Sequence, residues 1–392
     1  MKILLLVDCF YPSTKSAPKL IADLAHELSE QGHTVTIATA DATLKPNRDI
    51  TQHEAYTLVR VRTARIKGAS KPLRAFHESR LSTVFWKRCK DYFIENPCDL
   101  IVFYSPSIFF GKLVSKLKTL WNAKTYLVLR DLFPQWAIDA GILKEGMISR
   151  YFRKKEIQQY QVADKIGVQS PANLDYFKER GWHKKYQLEV LYNWMRITEQ
   201  GAQETNYREQ LGLQDKVVFF FGGNMGLAQD LENIVCLARN MRNNPKAFFL
   251  LVGDGDQVSN LKKSIQILKL NNIKILPAVD QDKYLGMLME FDIGLICLDK
   301  KLKTQNFPGK MLGYMLNSKP MLASVNPGND LVDLIQGESI GCACINGDDG
   351  LLLQQAEELA NDRLRRKQLG ENARRVLETK FSTKNAVDLI IE

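Results

Sequence analysis

The sequence predicts an α/β protein made of two Rossmann-like, doubly wound domains that face each other across a deep cleft. Its 392 residues exceed what one hydrophobic core usually organises, so two domains are expected. In both halves of the chain, short apolar runs typical of buried parallel strands alternate with segments of helical period. Since such sheets bind ligands beyond the carboxyl ends of their strands, we expect the ligand site in that cleft.

The first half of the chain begins with a βαβ unit. Residues 2–7 and 34–39 are predicted strands, and residues 19–31 between them place leucine and alanine on one helical face. Residues 56–62 alternate like a strand at a sheet edge, and further strands are predicted at 99–104, 125–129, 165–168 and 188–191. Residues 194–215 are polar and lack an apolar period, which indicates a linker between domains 1–195 and 196–379.

The second half repeats the alternation after this linker. Helices are predicted at about 229–241, at 310–316 and over 349–377, followed by a short tail at 383–391. The predicted strands are 217–221, 248–252, 273–276, 293–297 and 321–325. These segments are apolar runs without a helical period, so a parallel sheet is expected here as well.

Composition argues against several classes of protein. No apolar run approaches the ~20 residues that a membrane-spanning helix requires. The seven cysteines are scattered without a Cys-x-x-Cys pair, and the five histidines are isolated. These features predict a cytoplasmic protein with reduced thiols, no metal site and no cofactor.

The net charge of +10 is concentrated in one window. Residues 60–90 contain ten basic residues and one acidic residue, a local charge of +9, with aromatic residues interleaved. Such a segment suits an anionic membrane surface first. The alternatives are a solvated helix whose aromatics pack inward and, last, nucleic acid, for which no binding motif is present. The residues assigned to the membrane surface are Arg65, Lys67, Lys71, Arg74, Phe85, Trp86, Lys87 and Arg88.

Glycine-rich turns follow two strands of the second half. Residues 222–226 read Gly-Gly-Asn-Met-Gly and precede a helix, so free amides there suit a phosphate, although a tight βα turn explains them equally well. Gly253, Asp254 and Gly255 follow the next strand, where they either approach a ligand or form a simple turn. Neither turn has the G-x-G-x-x-G pattern, which disfavours an NAD-dependent dehydrogenase.

Two charged positions are candidates for chemistry. Lys310 follows Pro308 and Gly309 at the start of a helix, where an ammonium could neutralise a diphosphate; a surface lysine is the alternative. Asp131 follows a predicted strand of the first domain, next to Arg130. It could act as a general base or bind a sugar hydroxyl. Alternatively, it is the N-cap of the following helix, with Arg130 as its ion-pair partner. The polar loop of the first domain that contains Tyr11, Lys15 and Ser16 is expected to face the same cleft, where these residues and Arg130 would contact the acceptor.

Two Asp-x-Asp pairs have the spacing of Mg²⁺–nucleotide sites. They begin at Asp254 and Asp280. Asp280 also stands where a helix N-cap belongs, and this favours the cap over the metal.

The ordered set of motifs resembles the bacterial members of glycosyltransferase family 4, which have the GT-B fold. The similarity spans nearly the whole chain, through LRDLFPQWAIDAG, KIGVQSPANLDYF, GGNMGLAQDLENIV, FLLVGDG, FPGKMLGYMLNSKPMLA and ENARRVLETKFS. It implies that Asp131 lies near the reacting sugar and that the last helix, within 380–392, returns to the first domain. The implied donor site is Gly223, Asn224, Gly226, Pro308, Gly309 and Lys310 at the diphosphate, and Gly253, Asp254, Gly255, Ala278 and Val279 at the nucleoside.

The finer similarity is to O-antigen transferases that move N-acetyl-L-fucosamine from UDP to a polyprenyl-diphosphate-linked sugar. It implies a retaining, metal-independent enzyme that is peripheral on the cytoplasmic face of the inner membrane. Two departures are present: residues 13–17 lack the usual Gly-Gly pair, and the family's Glu-x7-Glu motif falls on Gln305 and Gly313. A UDP-sugar 2-epimerase of the same fold and a non-catalytic nucleotide-sugar-binding protein are the alternatives.

Overall fold

The computed structural model of the protein describes residues 1–13, 16–65, 71–139, 141–197, 205–303 and 307–392. Lys15, Lys67 and Gln305 lie outside these ranges, and the side chains of Ser16 and Lys71 are not described. The chain divides into unit 1, which is Met1–Arg196 with Thr383–Glu392, and unit 2, which is Ile197–Ser382.

A mainly parallel sheet organises unit 1. Its strands are β1 (Lys2–Val7), β2 (Thr34–Asp41), β3 (Arg48–Gln52), β4 (Thr57–Arg62), β5 (Leu100–Tyr104), β6 (Lys124–Leu129), β7 (Lys165–Val168) and β8 (Leu188–Val190). They lie in the order β3-β4-β2-β1-β5-β6-β7-β8, and only β3 and β4 pair antiparallel. The helices of its first 196 residues are α1 (Ser16–Glu30), α2 (Lys71–Ser79), α3 (Leu81–Glu95), α4 (Gly111–Trp121), α5 (Gln135–Asp139), α6 (Met147–Val162) and α7 (Pro171–Glu179).

The strand predicted at 56–62 does not lie at the sheet edge. It is β4, which pairs with β2 on one side and with β3 on the other. β3 was not predicted because its sequence, RDITQ, is mostly polar, and all but one of its side chains are exposed.

A fully parallel sheet organises unit 2. Its strands are β9 (Val217–Gly222), β10 (Ala247–Val252), β11 (Ile273–Leu276), β12 (Ile293–Cys297), β13 (Met321–Val325) and β14 (Gly341–Ile345), in the order β11-β10-β9-β12-β13-β14. The helices are α8 (Tyr207–Gln210), α9 (Glu232–Asn240), α10 (Val258–Ile267), α11 (Gln281–Glu290), α12 (Lys310–Leu316), α13 (Leu331–Gly337), α14 (Asp349–Asn361) and α15 (Arg363–Lys380). The sequence missed β14, and the helix predicted over 349–377 is divided into α14 and α15, since Asp362 is the N-cap of α15.

Two apolar layers cover the sheet of unit 1. On one face, α3 places Phe85, Cys89 and Phe93 at helical spacing against the strands, beside Phe110. Phe85 is fully buried, so its assignment to a membrane surface is wrong; its spacing serves the core. The other face is covered by α1 and by the last helix, α16 (Thr383–Ile391), which belongs to unit 1.

No helix among the described residues is long and apolar enough to cross a membrane. The same residues contain no group of three or more histidine, cysteine, aspartate or glutamate side chains that could hold a metal ion.

Candidate functional site

The glycine-rich turn after β9 lies where the strand order of unit 2 reverses. From β9 the chain runs outward through β10 and β11, and it then returns to pair β12 on the other side of β9. Loops that leave neighbouring strands at such a point diverge and open a crevice at the carboxyl edge of the sheet. The turn at 222–226 is therefore in the position where doubly wound sheets bind ligands.

Backbone hydrogen bonds join this turn to the next one. The amide of Gly223 donates to the carbonyl of Val252 at 2.9 Å, and that of Met225 donates to the carbonyl of Asp254 at 2.8 Å. The carbonyl of Met225 accepts in turn from Gln257 at 3.0 Å. The two turns thus continue the pairing of β9 and β10 and form one rigid rim.

This rim requires glycine at two positions. Gly253 has φ +154°, and a Cβ atom there would lie 1.9 Å from the carbonyl oxygen of Gly223. Gly255 has φ +157°, and its Cβ would lie 2.4 Å from the carbonyl oxygen of Met225. Both φ angles are unfavourable for side chains, and both clashes are with backbone, so neither neighbour can yield. The glycines predicted to allow a close ligand approach first allow this backbone contact.

The free amides of the turn differ from those expected. Two amides of the turn already have acceptors within the chain. Gly223 donates to the carbonyl of Val252, and Gly226 donates to Oε1 of Gln229 at 3.2 Å. Among the described residues, no protein acceptor is found for the amides of Asn224, Leu227 and Ala228. The last two belong to a 3₁₀ turn, Leu227–Gln229, and α9 begins only at Glu232, so the prediction of a helix from about 229 is wrong. Three amides without an acceptor in the described part of the chain therefore remain for an anion.

Lys310 brings a positive charge to this turn. Its Nζ lies 3.3 Å from the ring centroid of Phe221, the last apolar residue of β9, and 3.7 Å from the place of a Cβ on Gly223. Within the described part of the chain, this ammonium has no carboxylate partner and no hydrogen-bond acceptor. Burial lowers the pKa of Lys310 to about 7, with the Cys297 thiol acting weakly in the opposite direction. An unpaired cation beside open amides is an arrangement that an anion would complete.

The remaining predicted donor residues surround this turn with varied exposure. Asp254 is exposed and accepts from the amide of Gly255 at 2.8 Å, so its carboxylate stabilises its own turn. Ala278 is exposed and Val279 is partly exposed after β11. Pro308 is partly exposed and Gly309 is exposed, in front of Lys310.

Asp280 is the N-cap of α11, as the sequence predicted. Its carboxylate accepts from the amide of Lys283 at 2.9 Å and pairs with the Nζ of the same residue at 3.0 Å. These bonds lower the pKa of Asp280 below its usual value. A cap, with no bound metal required, accounts for the carboxylate.

Gly313, where the family resemblance places a glutamate, lies in α12. It is buried, and a Cβ there would lie 3.1 Å from Cδ1 of Leu288. The position is apolar, so this helix offers no carboxylate to a donor at that point.

Arg130 of unit 1 is bonded within the fold and is not available to a ligand. Its buried guanidinium donates to the carbonyls of Leu191 and Tyr192, the latter at 3.3 Å, and stacks 5.2 Å from the ring of Trp194. Its expected contact with an acceptor is therefore wrong, because these groups already hold it. Asp131, the next residue, is partly exposed after β6.

Of the residues predicted in the first loop of unit 1, Tyr11 is the one whose side chain the structure describes. It is exposed after β1. Partial burial raises the pKa of its phenol, and the carboxylate of Asp23 adds to the effect. Its neighbours Lys15 and Ser16 were also predicted for this loop; Lys15 lies outside the described residues.

Some basic and aromatic residues of the segment 60–90 are exposed, whereas others contact neighbouring groups of the chain. Arg74 is exposed and pairs with Glu78 at 2.9 Å, and Lys87 is exposed on α3. Arg88 is half-buried and donates to the carbonyl of Arg62. Trp86 is also half-buried, with Nζ of Lys116 4.8 Å from its ring. Arg65 is exposed.

Sequence reasoning missed three contributors to the site in unit 2. They are the ring of Phe221 and the amides of Leu227 and Ala228. Phe221 was interpreted as an ordinary core residue of a strand. Whether a backbone amide has an acceptor cannot be seen from the type of residue. No signal in the sequence could have identified them.

The chain matches known proteins in both halves. Residues 203–376 match the family described as Glycosyl transferases group 1. The chain is 28% identical to the probable glycosyltransferase WbjE of Pseudomonas aeruginosa, over 66% of its own length and 65% of that protein. It is 24% identical to the putative colanic acid biosynthesis glycosyl transferase WcaI of Escherichia coli K12, over 55% of each chain. The matched part thus covers less than two thirds of either relative.

Solved structures match over the whole chain. The structure of HepE from Anabaena in complex with UDP-glucose superposes with a TM-score of 0.66 and 17% identity, covering 100% of this chain and 98% of that one. The predicted fold class is confirmed, since both units have the parallel sheets of that fold. Residues 203–376 are thus similar to the group 1 glycosyl transferases, and the chain has the GT-B fold.

Proposed function

We propose that this chain is a glycosyltransferase that binds a nucleotide-sugar, a UDP-sugar, on unit 2. The observation that carries the proposal is the desolvated ammonium of Lys310, which lies beside Gly223 and has no ionic or hydrogen-bonding partner among the described residues. In the same turn, the amides of Asn224, Leu227 and Ala228 have no acceptor within that part of the chain. A diphosphate supplies the negative charge and the acceptor oxygens that these groups lack. HepE, which has the same fold, was crystallised in complex with UDP-glucose.

The reaction breaks the bond between the anomeric carbon and the diphosphate oxygen. The electron pair of that bond leaves with UDP, and an acceptor hydroxyl forms the new glycosidic bond. Lys310 and the open amides would stabilise the charge on the departing diphosphate, the work that a metal ion performs in other enzymes. Asp131 on unit 1 is the proposed recipient of the acceptor hydroxyl proton.

The finer proposal concerns the sugar and the acceptor. The resemblance to O-antigen transferases supports N-acetyl-L-fucosamine as the sugar, a polyprenyl-diphosphate-linked glycan as the acceptor and retention of anomeric configuration. A matched relative is named as a putative colanic acid biosynthesis glycosyl transferase. We place the enzyme on the cytoplasmic face of the inner membrane, as a peripheral protein.

The surface proposed to meet the anionic membrane includes α2 and the exposed positions around it. Leu73 and Phe76 are exposed apolar residues of α2, and Arg80 lies with its guanidinium 5.5 Å from the Phe76 ring. Together with Arg74 and Lys87, they combine exposed cations with exposed apolar groups, which is the composition of an interfacial surface.

Calorimetric titration with UDP, GDP and NAD, each with and without Mg²⁺, tests the donor. We expect UDP to bind most tightly and its affinity to be independent of Mg²⁺. Preference for NAD or GDP would refute the donor class. A screen of UDP-sugars with synthetic polyprenyl-diphosphate glycans then tests transfer through UDP release. UDP-sugar turnover that needs no acceptor would instead indicate the 2-epimerase, and UDP binding without any turnover would indicate a non-catalytic protein.

A further inference from the structure

A short segment of unit 1 carries large apolar side chains on its outside. Between α5 and the second turn of α6, Ile142 is 58% exposed, Met147 83%, Ile148 65% and Tyr151 43%. We call these four residues the apolar lip. Single exposed apolar residues are common on protein surfaces, but four within ten positions form a patch that needs a partner.

The lip is built on a rigid helix. Its residues 147, 148 and 151 occupy one face of α6, at i, i+1 and i+4. The opposite face is fixed to neighbouring helices, because the buried carboxylate of Glu156 accepts a hydrogen bond from Tyr176 of α7. Arg153 of the same helix donates to the side chain of Gln135 in α5 at 2.7 Å. The inner face therefore cannot rotate outward, so the exposure of the lip is a fixed property of the fold.

The turn before α6 is also well ordered. The amides of Ile142 and Leu143 both donate to the carbonyl of Ala137 at 2.9 Å. The amide of Gly146 donates to Oγ of Ser149 at 2.9 Å, which closes the N-terminus of α6. These bonds fix the backbone at Ile142 and at the start of α6, where the side chains of Ile142 and Met147 are exposed.

Positive charges surround the lip. Residues 141–155 contain five basic residues and one acidic residue, Glu145, which gives a local charge of +4. Arg153 is engaged with Glu156, but Lys144, Arg150 and Lys154 are exposed. Lys112 of α4, also exposed, lies close enough to act on Lys155. The rim around the apolar residues is thus strongly cationic.

We propose that the apolar lip inserts into the interfacial layer of an anionic lipid bilayer. Apolar side chains at the centre would enter the acyl boundary, while lysine and arginine side chains around them would contact lipid phosphates. An apolar protein groove would match the side chains but not the excess of positive charge. The lip is separate from the α2 surface, and its binding to lipid does not depend on the donor site.

This docking would have a consequence for the acceptor. Phe133, two residues after Asp131, packs its ring 5.1 Å from that of Phe152 in α6. The loop that carries Asp131 is therefore fixed to the helix that carries the lip. If the proposed function holds, insertion brings this edge of the unit 1 sheet to the headgroup layer, where a lipid-linked diphosphate lies.

Vesicle partitioning tests the proposal on the full chain. We expect the triple variant Ile142→Ser, Met147→Ser, Ile148→Ser to bind vesicles of phosphatidylglycerol and phosphatidylcholine at least about ten-fold more weakly than the parent. The matched control replaces Ile267, Met289 and Leu364 of unit 2, which are 78%, 59% and 81% exposed, by serine and is expected to bind like the parent. Equal binding of the lip variant and the parent would overturn the proposal.

Two further readouts separate this proposal from its rivals. UDP affinity is expected to be the same in the parent and in both triple variants, so failure of the donor site would not be mistaken for failure of the lip. If the parent does not bind vesicles and the lip variant changes a dimer into a monomer by sedimentation, the lip is a contact between copies and the proposal is wrong.

Insertion depth provides the final check. Cys9 and Cys236 are the partly exposed thiols among the cysteines, so a Cys9→Ser, Cys236→Ser background permits labelling of Met147→Cys with an environment-sensitive dye. We expect a blue shift on vesicle binding and quenching by nitroxide lipids, and neither for the same dye at Ile267→Cys. A dye at position 147 that stays in water on bound vesicles would overturn insertion.

Discussion

Two cations lie near the carboxyl ends of the two parallel sheets, and their surroundings are opposite. Arg130 in unit 1 stacks on Trp194 and donates to the carbonyls of Leu191 and Tyr192. Lys310 in unit 2 also lies against an aromatic ring, that of Phe221, but no acceptor is found for it among the described residues. Both are desolvated, and burial lowers the pKa of each.

This difference separates a structural cation from a binding one. Arg130 contributes its hydrogen bonds to the folded state permanently, because its acceptors belong to the chain. Among the described residues, Lys310 has the ring of Phe221 but no hydrogen-bond acceptor to offset the unfavourable free energy of desolvation, and a bound anion would recover part of it. A buried cation with its own partners therefore belongs to the fold, whereas one without partners indicates a ligand.

The rigid rim beside Lys310 gives the largest predicted effect. Gly253→Ala would place a Cβ 1.9 Å from the carbonyl oxygen of Gly223 at a φ of +154°. We expect it to reduce the free energy of unfolding of unit 2 by about 3–5 kcal/mol and to weaken UDP binding. Urea unfolding measures the first effect. Gly309→Ala is the control, since nothing lies within 4 Å of its Cβ position; comparable damage there would mean that the backbone contact does not matter.

Arg130→Met tests the structural side of the comparison. It leaves the carbonyls of Leu191 and Tyr192 without their donor in a buried place. We expect a loss of about 2–4 kcal/mol in the free energy of unfolding, with UDP affinity unchanged. Chemical denaturation and calorimetry on the same preparation check both parts. A stable variant with weakened UDP binding would reverse the assigned roles.

Lys310→Met tests the binding side. We expect the dissociation constant of UDP to rise by about 10–100-fold, because a charge-assisted contact with the diphosphate is lost. Stability is expected to remain equal or to increase, since a desolvated ammonium is removed. Lys319→Met is the matched control: its pKa is also lowered by burial, but its Nζ donates to the carbonyl of Met289 at 3.0 Å. If both variants bind UDP like the parent, Lys310 has no role at the diphosphate.

The smallest effect is on pH dependence. With a pKa of about 7, Lys310 in the free protein loses its proton above neutrality. A bound diphosphate favours the ammonium, so UDP binding above pH 7 takes up a proton and weakens as pH rises, by at most about ten-fold per pH unit. Titrations at pH 6.5, 7.5 and 8.5 measure this slope. The slope is expected to vanish in Lys310→Met, and a slope that persists there would belong to another group.

The lowered pKa of Lys310 also determines how the free energy of unfolding of the free protein changes with pH. The unfolded lysine keeps its proton to about pH 10.4, whereas the folded one loses it at about 7. Between these values the unfolded state binds more protons, so the contribution of Lys310 to stability rises with pH and is lost as pH falls toward 7.

Local patterns were sufficient to predict both glycine turns and the strands other than β3 and β14. The apolar run at 217–221 became β9, and Asp280 became the expected N-cap, because each depends on neighbours in sequence. Lys310 was also singled out, from the Pro-Gly that precedes it. Its lack of a partner could not be predicted, since that depends on which residues of distant segments surround the ammonium.

Long-range contacts explain the errors. Phe85 and Arg130 were expected at surfaces because of the charged residues next to them in sequence, yet segments distant in sequence bury both. The amides of Gly223 and Met225 were engaged by the turn after β10, a contact with no sequence signature. Conversely, no sequence pattern marks Met147 and Ile148, and only the fold reveals that their side chains are exposed.

The position of α16 has a consequence for the order in which the protein is made. Ala386, Val387 and Ile390 belong to the same apolar cluster as α1, and the amide of Thr383 donates to the carbonyl of Met195 at 3.2 Å. The ribosome adds these residues only after all of unit 2, Ile197–Ser382. At about 5–20 residues per second, the first unit to be started waits roughly 10–40 s for its last helix. The N-terminal unit is thus the last to be completed, and the part of its core that α16 covers stays exposed while unit 2 folds.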